Sequence, residues 1–181
     1  MTDVLEREKR VVSIVLGEYH ATTDPKTVVS TVLGSCIAAC LCDPEAGVGG
    51  MNHFMLPDGD ASSAHDQLRY GVNAMELLIN ELLRSGARRQ KLEAKLFGGA
   101  HLVSGLNDIG AANIAFIGQF LEAEQIACVS RSLGGHQARR IRFWPVRGKA
   151  QQRLLPLEDI ATPATMSSSA SQMGDGRVEL F

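Results

Sequence analysis

The chain has no apolar run approaching the ~18 residues that a membrane-spanning helix needs. Its amino terminus, MTDVLEREKRVVSIVL, carries charges where a secretory leader would need its apolar segment. A cytoplasmic protein without direct membrane insertion is therefore expected. Excess charge of one sign is missing too: 18 Lys and Arg against 20 Asp and Glu leave a net charge of -2. No global field draws such a protein to nucleic acid or anionic lipid, so its partners must be recognised by local shape and chemistry. The four cysteines, Cys36, Cys40, Cys42 and Cys128, show no CxxC spacing, which argues against a zinc or thioredoxin-type site and leaves free thiols as the expectation. His20, His65, His101 and His136 have no ligand spacing among themselves or with the cysteines, so no metal is expected. Neither GxGxxG nor GxxxxGK[ST] is supplied by LFGGA at 96–100 or LGG at 133–135. Both read as tight turns and not as phosphate cradles.

What is present suits a single core: 181 residues, 45% of them hydrophobic, can bury enough surface without disulfides or metals. Val11–Leu16 and Thr27–Leu33 are β-branched runs that predict strands. Ile37–Cys42 and Val48–Leu56 are two more apolar runs, joined by Asp-Pro-Glu-Ala-Gly at 43–47, and predict a hairpin. Leu68, Val72, Met75, Ile79, Leu82 and Leu83 recur at helical spacing before Gly86. A strand at 92–97, a helix over 110–125, a strand at 126–131 and a pairing of Arg140–Val146 with Gln151–Leu155 complete the pattern. Strands and helices mix without strict βαβ alternation, so the β core should be mixed and largely antiparallel. Cys40, Cys42 and Cys128 read as packing residues.

From Thr162 the composition changes to TPATMSSSASQMGDGR, which cannot bury enough apolar surface to order itself. One domain over 1–161 and a flexible Ser/Ala-rich tail over 162–181 are expected. The last four residues, Val178, Glu179, Leu180 and Phe181, are apolar enough to serve as a docking motif or to be merely the chain end. Arg139, Arg140, Arg142, Arg147 and Lys149 form the one basic cluster. It reads first as a solvated strand face and second as a contact surface for an acidic helix.

Chemistry concentrates at LGSCIAACLCDPEAGVGGMNHFMLP, residues 33–57. A thiol attacks a carbonyl as thiolate, and its reference pKa near ~8.5 calls for a neighbouring base. A turn centred near Glu45 sets His53 opposite Ile37 or Ala38, and the cross-strand diagonal brings its imidazole toward Cys36. Gly34 and Ser35 form a small-residue corner that leaves backbone N–H groups for an oxyanion. From the pattern alone, a buried thiol and a satisfied core imidazole remain the commoner reading of such a pair.

That stretch resembles the signature of the CheD family, the chemoreceptor glutamine deamidases of bacterial and archaeal chemotaxis. The resemblance continues through Arg69-Tyr70-Gly71, Ala74-Met75-Glu76, Gly86-Ala87, Lys95–Ala100, Ile109-Gly110 with Asn113, and Leu133-Gly134-Gly135, so that it spans roughly residues 11–158. It implies a three-layer α/β sandwich with helices flanking the sheet core, similar to deamidating toxins of the cytotoxic necrotizing factor type. It implies Cys36 as nucleophile and His53 as base. The family's threonine, six residues before the cysteine, falls on Ser30, and Thr31 stands next to it. Either hydroxyl could orient the imidazole, and Ser30 is expected to matter more. No cofactor is implied. The substrates implied are glutamines on chemoreceptor cytoplasmic helices, together with glutamyl methyl esters. An adaptor that binds receptors and a CheC-type phosphatase, with catalysis secondary, is the alternative. A cysteine peptidase is weaker, because only Asn52 and Asn73 stand out as imidazole partners. The family's IGxRN and its GR pair read here as Ile109-Gly110-Ala111-Ala112-Asn113 and Ala138-Arg139.

Overall fold

The computed structural model describes residues 9–57, 64–102, 108–156 and 177–181. In these residues the chain runs β1 (Arg10–Ser13), β2 (Tyr19–Thr22), β3 (Thr27–Leu33), β4 (Ile37–Asp43), β5 (Val48–Phe54), α1 (Ala64–Arg84), β6 (Glu93–Gly98), α2 (Ile109–Ala123), β7 (Ala127–Leu133), β8 (Arg139–Trp144), β9 (Lys149–Leu154) and β10 (Val178–Leu180). Two five-stranded sheets result, ordered β1-β3-β8-β9-β10 and β2-β5-β4-β6-β7. Pairing is parallel between β1 and β3 and between β6 and β7, and antiparallel elsewhere. The mixed, largely antiparallel core and the three layers expected from the sequence are therefore present.

The layers follow from how β4 alternates. Ile37, Ala39 and Leu41 pack with Met75, Leu78 and Ile79 of α1 and Phe116 and Ile117 of α2. Cys36, Ala38, Cys40 and Cys42 pack with Val29 and Leu33 of β3 and Ile141 and Phe143 of β8. The β4–β5 sheet is thus the middle layer, with helices on one face and the other sheet on the other. Burial on both sides makes all seven residues of β4 inaccessible, which is why it reads as a continuous apolar run and not as an alternating one. Each fully buried Leu, Ile or Phe here stabilises by about 1.5–3 kcal/mol.

The hairpin turn is organised by one carboxylate. Asp43 Oδ1 accepts the N–H groups of Glu45 and Ala46 at 3.1 and 3.0 Å. The same side chain, fully buried, takes the Arg88 guanidinium in two bonds of 3.0 Å, and the Arg88 backbone N–H in a third. Arg88 hydrogen bonds, acting against burial, hold the Asp43 carboxyl well below the usual carboxylate range. The hairpin is thereby tied to the chain just beyond Gly86, where α1 ends and Ala87 N–H closes on the Leu82 carbonyl.

Three expectations need correction. The strand expected over Val11–Leu16 stops at Ser13, because Glu18 accepts Val15 N–H at 2.9 Å and closes a turn. The chain then forms β2, an unforeseen strand on the edge of β5. Leu68, expected on the apolar face of α1, is 52% exposed. Cys128, expected in the core, is exposed on β7, the edge strand of its sheet. Of the segment expected as a tail, 162–176 lies outside the described residues. Its last four residues dock on the fold: β10 pairs with β9, Phe181 exchanges two backbone bonds with Ala150 at 2.8 and 2.9 Å, and its ring meets Phe97 edge-on at 5.3 Å.

Two outcomes follow for stability. Phe181→Ala should destabilise by less than the ~3–5 kcal/mol of a fully buried Phe, because its ring is only half-buried, and should leave turnover of the folded protein unchanged; thermal melts and an activity assay check both. Asp43→Asn should lower the melting midpoint at pH 7, where Glu45→Gln does not. Because the folded-state carboxyl is depressed, its contribution is present above the unfolded-state pKa of about 4 and should disappear only as pH falls below that value. A pH series of melts reads that difference.

Candidate active site at the sheet crossover

Between β3 of one sheet and β4 of the other lie only Gly34, Ser35 and Cys36. The chain changes sheets there, and the thiol sits half-buried at that corner, its Sγ 3.8 Å from Met55 Sδ. In the hairpin Ala38 pairs with His53 and Ile37 with Phe54, so His53 occupies the position diagonal to Cys36 on the face turned toward β3. The register is the one expected from a turn near Glu45.

His53 is 7% exposed, and its Nδ1 lies 2.8 Å from Thr31 Oγ1. The Thr31 hydroxyl has one proton and donates it to the Ile14 carbonyl at 2.8 Å. It must therefore accept from Nδ1–H, which assigns the imidazole proton to Nδ1 and leaves the lone pair on Nε2. Nε2 is buried and has no hydrogen-bond partner among the described residues. Burial lowers the His53 pKa below its ordinary value, and burial raises the Cys36 pKa, partly offset by its own backbone N–H. Thiol and imidazole are consequently both neutral near pH 7, and the sulfur ionises only as it gives its proton away.

Thr31, and not Ser30, orients the imidazole. Successive residues of β3 face opposite ways, and Ser30 Oγ instead donates to the Ile141 carbonyl on β8 at 3.0 Å. Both residues line one groove of about 470 Å³, together with His53, Val11, Val32, Arg140 and Arg142. Asn52 faces the helices, donating to the Ala74 carbonyl at 3.1 Å and accepting Ala39 N–H, so it is not the partner of the imidazole. Gly34 and Ser35 lie in the corner between β3 and β4. The Gly34 and Cys36 carbonyls accept Ala100 and Gly99 N–H at 2.9 and 2.8 Å. Gly98, at φ 114°, must be glycine, since a Cβ there would collide with the Cys36 carbonyl. Reading the Gly-Gly pairs as turns beside the site is consistent with this. Met55 and the Ile14 carbonyl were not anticipated, since neither carries a sequence signal for catalysis. The basic cluster divides: Arg139 is buried and donates to the Ser132 and Gly134 carbonyls, whereas Arg140 and Arg142 are exposed.

Among the described residues no three metal-ligating side chains converge, and no helix is long and apolar enough to cross a membrane. The class defined by fold and site is an α/β/β sandwich that carries a half-buried thiol and an oriented imidazole at its sheet crossover. The model of the family described as CheD chemotactic sensory transduction matches residues 55–154, and the chain belongs to the CheD family. A relative from Caulobacter vibrioides, named "Probable chemoreceptor glutamine deamidase CheD", is 53% identical over 175 residues, covering 94% of this chain and 92% of the relative. Relatives with the same name from Cereibacter sphaeroides, 50% identical and covering 94% and 85% of the two chains, and from Rhizobium rhizogenes, 48% identical and covering 98% and 100%, extend the similarity over nearly the whole length.

Thr31→Ala should reduce turnover about ten- to hundredfold by freeing the ring and its tautomer, within the effect of losing general-base function. Ser30→Ala should stay near wild type. Thr31→Ser, which keeps the hydroxyl, should restore most of the rate. Steady-state kinetics on folded variants ranks the three, and a larger loss at Ser30 would return the orienting role to it.

Proposed function

We propose that this protein is a cysteine-dependent protein-glutamine deamidase that converts specific glutamine side chains of methyl-accepting chemoreceptors to glutamate. The observation that carries the reading is the His53 imidazole, held at Nδ1 by Thr31 with Nε2 left open, at the position diagonal to Cys36, the residue just before the neighbouring strand. The name borne by the relatives supports the substrate class.

In this mechanism His53 Nε2 takes the Cys36 proton as Sγ attacks the glutamine side-chain carbonyl carbon. The carbonyl oxygen becomes an oxyanion, stabilised by backbone N–H donors at Ser35 and Cys36. Collapse of the tetrahedral adduct breaks the C–N bond, and the imidazolium protonates the departing nitrogen, which leaves as ammonia. Water, deprotonated by the same Nε2, then adds to the thioester. The second collapse returns the proton to Cys36 and frees the carboxyl group. The balance is one glutamine and one water giving one glutamate and one ammonia. A glutamyl methyl ester would follow the same path with methanol leaving in place of ammonia.

Receptor docking and binding of a CheC-type phosphatase belong to the same reading, and Cys36→Ala separates them from catalysis because it alters few surface atoms. The test is mass spectrometry of receptor cytoplasmic fragments incubated with wild type, Cys36→Ala and His53→Ala. A gain of about one mass unit per converted glutamine, with ammonia released, is expected for wild type only. His53→Ala should regain part of its rate at alkaline pH, where the thiol ionises without a base. Because burial depresses the His53 pKa, the imidazole stays neutral, and wild-type kcat/KM stays level, until the pH falls below the ordinary value of 6.5. Full activity of Cys36→Ala would end the covalent mechanism.

A further inference from the structure

One fully buried polar side chain close to the thiol has no part in that mechanism. Asn113, on α2, is 0% exposed. Its Oδ1 accepts Leu56 N–H at 2.8 Å, and its Nδ2 donates to the Ser35 carbonyl at 2.9 Å. One carboxamide thus links the segment just after His53 to the residue just before Cys36. With the bonds from Ala100 N–H to the Gly34 carbonyl and from Gly99 N–H to the Cys36 carbonyl, three successive carbonyl oxygens are held by the loop after β6 and by α2.

Peptide planarity gives this clamp a chemical meaning. In a trans peptide the C=O and N–H point in opposite directions, and every described peptide is trans. Drawing the Gly34 and Ser35 oxygens toward that loop and α2 therefore turns the N–H groups of Ser35 and Cys36 the other way. The Cys36 N–H turned in this way belongs to the residue whose thiol, on the deamidase reading, attacks the substrate carbonyl.

We propose that Asn113 is a positioning residue for the deamidation: by holding the Ser35 carbonyl it aims the Cys36 N–H at the substrate oxygen as that oxygen becomes an oxyanion. The inference rests on the deamidase reading. Preorganised donors stabilise developing charge only when their direction is set before the reaction begins, and rotation of the Ser35–Cys36 peptide would carry the N–H away. Asn113 also satisfies two backbone groups that would otherwise be buried without partners, so its test must separate orientation from folding.

Asn113→Asp keeps an acceptor for Leu56 N–H but sets an oxygen against the Ser35 carbonyl, and Asn113→Ser removes the reach to it. For wild type and both variants, kcat and KM are measured on a receptor fragment, melting midpoints are recorded, and alkylation of Cys36 by iodoacetamide is followed by peptide mass spectrometry across pH. Alkylation needs the thiolate but develops no oxyanion, so a structural defect at Cys36 would slow it and a misaimed N–H would not. The expected result is a kcat lower by about ten- to hundredfold, with KM, the alkylation rate and its pH profile close to wild type. A folded variant with unchanged kcat overturns the proposal. So does a parallel fall in kcat and alkylation, or failure of both variants to fold, since either assigns Asn113 to the fold alone. Absence of glutamate formation by the wild type would instead overturn the deamidase reading, and the inference with it, and is seen without any variant.

Discussion

Three residues must carry the chain from one sheet into another, and the site depends on how that constraint is met. Gly34, Ser35 and Cys36 lie outside both ladders, so their carbonyl groups need partners that no strand supplies. The partners come from Gly99, Ala100 and Asn113, in the loop after β6 and in α2. The loop after β6 and one side chain of α2 therefore hold the backbone around Cys36, although no helix side chain is proposed to react. A corner satisfied in this way is stiff, and stiffness places the thiol.

The second sheet contributes through a single hydrogen bond. Thr31 belongs to β3 and His53 to β5, so the 2.8 Å contact between them spans the interface of the two sheets. It brings the imidazole's orientation under the control of a strand in the other layer, and Ile14, just past β1, completes the chain of donors and acceptors. Burial at this interface pushes both ionisable groups toward their neutral forms. The same packing that excludes water from the core thus favours the neutral pair from which the proposed reaction starts.

Much of this was legible in the sequence, and the reasons are specific. The hairpin register could be read because β4 and β5 are apolar on both faces and Asp43 to Gly47 is a dense run of turn residues, so one alignment brings His53 opposite Ala38. Which β3 hydroxyl meets the imidazole was not legible, since that depends on which face of a strand turns inward, and spacing from Cys36 pointed to Ser30. The short strand β2 escaped notice, and β10 reads as a docking motif or chain end and not as a strand, because four and three residues carry too little periodicity. Cys128 sits between Ala127 and Val129 and reads as core, yet an edge strand leaves it exposed. Arg139 reads as one of a basic cluster, but its guanidinium is spent on the Ser132 and Gly134 carbonyls.

The neutral resting state of the thiol bears on survival in an oxidising cell. Peroxides attack thiolates far faster than thiols. Cys36, pushed toward its protonated form by burial and with the Met55 thioether 3.8 Å from its Sγ, offers peroxide less of the reactive form. Sulfenic acid should therefore form slowly at the proposed nucleophile. A preformed thiolate–imidazolium pair would react faster with substrate and with oxidant alike. A resting thiol of this kind gives up some intrinsic reactivity toward substrate in return for lower reactivity toward oxidant.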